Sequence, residues 1–263
     1  MRLNNYLSEG RSKSITLSQA RHLIEEKCYD AEDASDKGIK IYRGIDSNAN
    51  AIVIDPKNAH KPRKSANTSN YYTLLVDNLP SWKQYPKRSE SIICSTNIRA
   101  ASSYGSSLYE ISPINGAKIG VCSASDMWDS FKSLDIEMDY FNITMTNILN
   151  IVNMYGTLEY PERNINAFDS SFSVLKSACK AFDSNVGIIP DLVEQLKKMC
   201  EDNDLLLFDD IMKILKSYKG NLLNTLNTKL SPAKNGFKLA KIGDTLPKNR
   251  EAWTDSVSIG IKQ

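Results

Sequence analysis

The chain has 263 residues, 41% hydrophobic and 24% charged, and its 33 basic against 31 acidic residues give a formal charge of +2. This composition excludes wholesale disorder and a strong global field toward polyanions, and the length allows one large domain or two modest ones. Five scattered cysteines without a Cys-x-x-Cys pair, two histidines (His22 and His60), no signal-type N-terminus and no apolar run of about 18 residues predict reduced thiols, no metal, no membrane span and a cytoplasmic location.

Residues 1–15 are polar and read as a frayed start. Thr16 or Ser18 caps a helix whose apolar positions are Ala20, Leu23, Ile24, Cys28 and Ala31, and Asp36-Lys37-Gly38 stops it, since glycine tolerates the left-handed conformation beyond a helix end. Residues 39–45 and 51–55 read as strands, the second closed by Pro56, and 56–68 as a loop. Residues 69–78 read as a helix stopped by Asn78-Leu79-Pro80. Next come a strand over 91–96, a short helix over 97–104, a strand over 107–112, a turn at Pro113-Ile114-Asn115-Gly116 and a strand over 117–122. From about 124 to 230 the spacing is helical, as in Phe141, Met145, Ile148, Leu149 or Leu175, Ala178, Cys179, Phe182. The tail returns to β character at 237–240, 252–254 and 257–261. The expected division is an N-terminal helical segment (1–38), a core (39–123 and 236–263) and a helical insertion or subdomain (124–235).

Two basic stretches, Lys57–Lys64 and Lys83–Arg88, read as solvated loops. The donor-rich run Arg63–Tyr72 is either a phosphate site at a helix N-terminus or a polar loop with a good cap.

Three polar positions stand in or beside β-like runs: Arg43-Gly44 after Ile41-Tyr42, Ser95-Thr96 after Ile93-Cys94, and Glu251 before Ala252-Trp253. Singly, each has an ordinary role: a strand-end arginine before a turn glycine, a helix cap, a solvated strand carboxylate. Tyr104, taken alone, is a packing residue. In order, basic then hydroxyl then acidic, the three suggest a mononucleotide or NAD pocket assembled from separated strands.

The run Ile93-Cys94-Ser95-Thr96-Asn97-Ile98-Arg99-Ala100-Ala101-Ser102-Ser103-Tyr104-Gly105, with Ile41-Tyr42-Arg43-Gly44 upstream and Asn249-Arg250-Glu251-Ala252-Trp253 downstream, resembles the ADP-ribosyltransferases. That resemblance implies an α+β fold with a split antiparallel β-sheet core, here carrying a large helical insertion, and NAD as the substrate held between two small sheets. It implies that Glu251 is catalytic, stabilising positive charge on the ribose as the nicotinamide bond breaks and holding a ribose hydroxyl. It further implies that Arg43-Gly44 meets pyrophosphate or ribose oxygens, that Ser95 and Thr96 orient the ribose and help to position Glu251, and that Tyr104 stacks on nicotinamide. Asn97 replaces the family's third hydroxyl, and Asn249 stands where the arginine-modifying branch carries Glu or Gln, so arginine acceptors are not implied.

The expected activity is therefore mono-ADP-ribosyl transfer to a protein or nucleic-acid acceptor. The Lys/Asn/Ser-rich character is also similar to that of tailed-phage proteins, which implies a target in the host cytoplasm. Two alternatives stay open: a non-catalytic interaction protein whose working surface is 124–230, and an RNA-end-processing enzyme of the same fold. Asp255 is a reserve acid if its strand continues unbroken from Glu251. The catalytic reading requires the Arg43, Ser95 and Glu251 side chains to converge on one cleft.

Overall fold

A computed structural model describes residues 12–58, 70–136, 138–155, 170–186, 191–202 and 208–263. The donor-rich run before Asn70, most of the Lys57–Lys64 stretch and the first eleven residues lie outside the described residues. The described chain is a mixture of α and β structure in two compact units. One takes the described residues 12–58 with Gln84–Ser130 and Gly236–Gln263; the other takes residues 70–83 and the described part of Phe131–Asn235.

The first unit is built on a nine-stranded sheet: β1 (Ser12–Ile15), β2 (Tyr42–Ile45), β3 (Ala51–Ile54), β4 (Ile92–Ser95), β5 (Ser107–Pro113), β6 (Lys118–Val121), β7 (Lys238–Lys241), β8 (Glu251–Thr254) and β9 (Ser258–Lys262). The spatial order is β1-β3-β9-β5-β2-β4-β8-β6-β7, and neighbouring strands run antiparallel. Apolar alternation gives the sheet its two faces. Ile52 and Ile54 join Ile41, Ile45, Ile92, Cys94, Ile111 and Val121 in one buried cluster, whereas Ala51 and Ile259 belong to another with Ala20, Ile24, Cys28 and Ala31. The strands form one continuous sheet and not the split core expected, with its thinnest join between β2 and β4. β2 and β4 share one registered pair, Tyr42 with Ser95, while β4 and β8 share four.

The polar start differs from the frayed segment expected. Ser12–Ile15 pairs along its whole length with Ile54–Ala51, so backbone hydrogen bonding to an apolar neighbour holds a strand with one apolar residue of its own. The single N-terminal helix is also two, α1 (Leu17–Lys27) and α2 (Tyr29–Asp36), interrupted at Cys28. Thr16 caps α1 with a full capping box to Gln19, and Gly38 takes a positive φ of 76° beyond α2.

The second unit is helical: α3 (Tyr71–Asn78), α5 (Met138–Tyr155), α6 (Phe172–Asn185), α7 (Leu192–Asp202), α8 (Phe208–Leu215) and α9 (Leu222–Lys229). Apolar stripes bury Phe141, Met145 and Ile148 of α5, Leu175, Cys179 and Phe182 of α6, and Ile211 and Ile214 of α8. Trp82 donates to the Leu230 carbonyl at 2.9 Å and meets Phe131 edge-on, which explains why residues 70–83 belong with the helices. The remaining helix, α4 (Ile98–Ser102), follows β4 in the first unit.

Candidate functional site

The site lies in the first unit, where β2, β4 and β8 are consecutive in the sheet although 208 positions separate Arg43 from Glu251. Ser95 ends β4 and Glu251 begins β8, and the two are direct cross-strand partners, which places their side chains on one face. Arg43 is one residue along β2 from the Tyr42–Ser95 pair. Arg43, Ser95 and Glu251 are 6%, 5% and 5% exposed, so each is buried and none faces the open cleft expected; Ser95 and Glu251 are registered partners, whereas alternation along β2 gives Arg43 the face opposite to that of Tyr42.

The hydroxyl pair positions the strand that carries Glu251. Thr96 Oγ1 donates to the Pro247 carbonyl at 2.9 Å and to the Arg250 carbonyl at 3.3 Å, and accepts from the Arg250 N–H at 2.9 Å. Ser95 Oγ accepts from the Asn97 N–H at 3.0 Å and donates to the Arg250 carbonyl at 3.4 Å. Asn97 caps α4 by accepting from Arg99 N and Ala100 N, and its amide donates to Asn249 Oδ1 at 2.7 Å. Asn97 and Asn249, the two departures from the family pattern, therefore meet each other and close the same junction from the outside.

Arg43 is fixed differently. Its guanidinium lies over the Tyr104 ring, 4.6 Å from the centroid, a cation–π arrangement that matters most where water is excluded. Gly44 makes this possible. A β-carbon there would stand 2.5 Å from the Ala101 carbonyl oxygen and 2.7 Å from the Gly105 nitrogen, so only a glycine lets the end of α4 and the Tyr104-Gly105 link close on β2. Burial lowers the Arg43 pKa, against which Cys94, Tyr104 and Glu251 favour the charged form. Among the described residues its Nε and Nη1 atoms are buried without a hydrogen-bond partner.

Arg88, which sequence reasoning left in a solvated basic run, is the residue missed. It is 4% exposed and its Nη2 stands 2.6 Å from Glu251 Oε1. Its guanidinium also lies over Trp253, 5.6 Å from the ring centroid, and Trp253 is pinned by donating to the Pro86 carbonyl at 2.9 Å and by stacking on Tyr85. The available signal was the aromatic interleaving of Trp82 and Tyr85 in a short turn before a strand. Lys83 and Lys87 masked it by marking the run as solvated. Cys122 Sγ donates to the same Oε1 at 3.8 Å, and among the described residues no bond takes Oε2. Asp126 is half-buried nearby, accepting from Trp128 N at 2.6 Å. Burial and the Glu251 charge raise its pKa, and burial followed by Glu251 likewise raises that of Tyr104.

The reserve acid is elsewhere in its bonding. β8 ends at Thr254, and Asp255 forms an ion pair with Lys57 at 2.8 Å. Among the described residues no group of three or more His, Cys, Asp and Glu is placed to hold a metal, and no helix is long and apolar enough to cross a membrane. Neither the protein-family models, nor the curated proteins, nor the solved structures compared with this chain match it.

Proposed function

We propose that the first unit is an ADP-ribosyltransferase-like site that takes NAD and transfers ADP-ribose to a macromolecular acceptor. The observations that carry this reading are the pairing of Ser95 with Glu251 and an Arg43 whose Nε and Nη1 donors are buried and, among the described residues, unpartnered. Buried donors without acceptors are costly, and a planar fork of them suits pyrophosphate or ribose oxygens. Tyr104 orients that fork by stacking beneath it.

In this reading Arg88 and Cys122 hold Glu251 through Oε1, which leaves Oε2 for a ribose hydroxyl. Cleavage of the nicotinamide–ribose bond develops positive charge on the sugar, and a fixed carboxylate in a water-poor site stabilises it. Ser95 and Thr96 anchor Arg250 and thereby set where Glu251 enters the strand. Since the residues are buried, the substrate enters by parting the seam between β2 and β4, where one registered pair joins the strands. The test is incubation with labelled NAD and cell extract: label transferred by the wild type and absent with Glu251→Gln supports the proposal, and equal label from both removes Glu251 from the mechanism.

One observation favours a second reading, a non-catalytic protein that retains this architecture. The Arg88–Glu251 pair balances the buried carboxylate charge within the protein, as a purely structural ion pair would. If this second reading holds, NAD neither binds nor protects the first unit against thermal unfolding.

A further inference from the structure

A second concave site belongs to the helical unit and is independent of the reading above. It is a groove of about 500 Å³ along α9, within the size range of small-ligand sites. Lys219, Asn221, Asn224, Thr228, Lys229 and Lys234 line it, and among the described residues neither aspartate nor glutamate does. Among the described residues none of the three lysines has an ion pair. The neighbouring carboxylate, Asp183, is already engaged, accepting from Tyr218 Oη at 3.0 Å and from Leu222 N at 2.8 Å.

The positions of the lysines decide what fits. Lys219 precedes α9, Lys229 ends it and Lys234 follows it, so the cationic groups are distributed along an eight-residue helix, roughly 12 Å at 1.5 Å per residue. A lone phosphate is too small to neutralise ammonium groups at both ends, whereas a chain of phosphates runs past each in turn. The asparagine and threonine side chains between the lysines, Asn224 and Thr228 among them, are neutral groups of the kind that bond phosphate and sugar oxygens. Among the described residues no aromatic side chain lines the groove, so they offer nothing on which a base would stack. Lysine acts here as a point charge without a preferred plane, which suits a backbone read without regard to sequence.

We propose that the α9 groove binds the sugar–phosphate backbone of single-stranded nucleic acid, without sequence preference. The test is fluorescence anisotropy of the full chain with labelled mixed-sequence RNA and DNA oligonucleotides, at salt concentrations from 50 to 200 mM. The K219Q/K229Q/K234Q variant is compared with K13Q/K37Q/K262Q, which removes the same charge from the other unit. Wild type and the control triple should bind alike. The groove triple should lose at least tenfold in affinity, and its salt slope should be shallower by about 2, since each phosphate contact on a single strand contributes about 0.7. RNA and DNA binding alike fits a phosphate reader, and a preference for RNA assigns the groove to contacts with the 2′-hydroxyl as well. Absence of oligonucleotide binding by wild type at 50 mM salt overturns the proposal. So does an unchanged salt slope in the groove triple, or polyglutamate competing at the same charge concentration as the oligonucleotide. Because Arg43 and Glu251 are untouched, loss of NAD transfer in Glu251→Gln and loss of oligonucleotide binding in the groove triple are separately read.

Discussion

Arg88 Nη2 stands 2.6 Å from Glu251 Oε1, and both side chains are less than 10% exposed. The pair joins a turn ahead of β4 to the first residue of β8, across 163 positions of sequence. Removing one partner from such a pair leaves an uncompensated charge in a place that water does not reach, at a cost of about 3–5 kcal/mol. Arg88→Ala should therefore lower the urea midpoint substantially, as followed by tryptophan fluorescence. The double variant Arg88→Met/Glu251→Gln should recover much of the loss, because replacing both charges removes the penalty. A single variant as stable as wild type would contradict the buried pair.

Gly44 supports a steric prediction. With the Ala101 carbonyl and Gly105 nitrogen both inside the reach of a β-carbon, Gly44→Ala must push α4 away from β2. Forcing a methyl into a packed backbone contact costs about 1–3 kcal/mol. The displacement also lifts Tyr104 from Arg43, so the loss of stability should come with increased exposure of the Tyr104 ring to solvent quenchers.

Thr96 joins the β4 end to the approach of β8 through three hydrogen bonds. Thr96→Val keeps the shape and loses the hydroxyl, for an expected cost of about 1–3 kcal/mol with the Arg250 N–H left unpaired. Amide hydrogen exchange at Arg250 and Glu251 should quicken, while exchange in β3 and β9 stays as in wild type.

The described cysteines are free and buried, and burial pushes Cys94 up to about 12 and Cys28 up to about 11 from an ordinary 9.0. A thiol whose folded value is raised binds its proton more tightly in the folded chain than in the unfolded one. The stability it contributes is therefore complete below about pH 9 and is lost as pH rises toward 11–12. Denaturation midpoints should fall between pH 8.5 and 10.5, less steeply in Cys94→Ala. Native protein at pH 8 should react slowly with thiol reagents and all five cysteines should react after unfolding.

The strands were legible where short apolar, β-branched runs are bounded by turn or polar residues, as in Ala51–Ile54 and Ile92–Cys94, because a buried strand reads as a short continuous apolar run. β1 was not, since Ser12-Lys13-Ser14-Ile15 carries no pattern of its own and takes its structure from β3. The break at Cys28 was hidden for the opposite reason: Ala20, Ile24, Cys28 and Ala31 keep helical phase through it and bury on the same cluster. Arg43, Ser95 and Glu251 stand out in the sequence because each is a polar residue in or beside an apolar run. Arg88 was hidden among Lys83 and Lys87, and its burial depends on a carboxylate far along the chain. Local sequence records periodicity well and long-range charge pairing poorly.

The central claim is that the buried donors of Arg43 are built for the oxygens of NAD. Calorimetric titration of NAD into wild type and Arg43→Lys tests it most directly, because lysine keeps the charge and loses the planar fork. The expected result is binding by wild type that weakens at least tenfold in Arg43→Lys while Lys57→Gln, in the ion pair with Asp255, binds as wild type does. Equal affinity of wild type and Arg43→Lys, or no heat from either, would contradict the account.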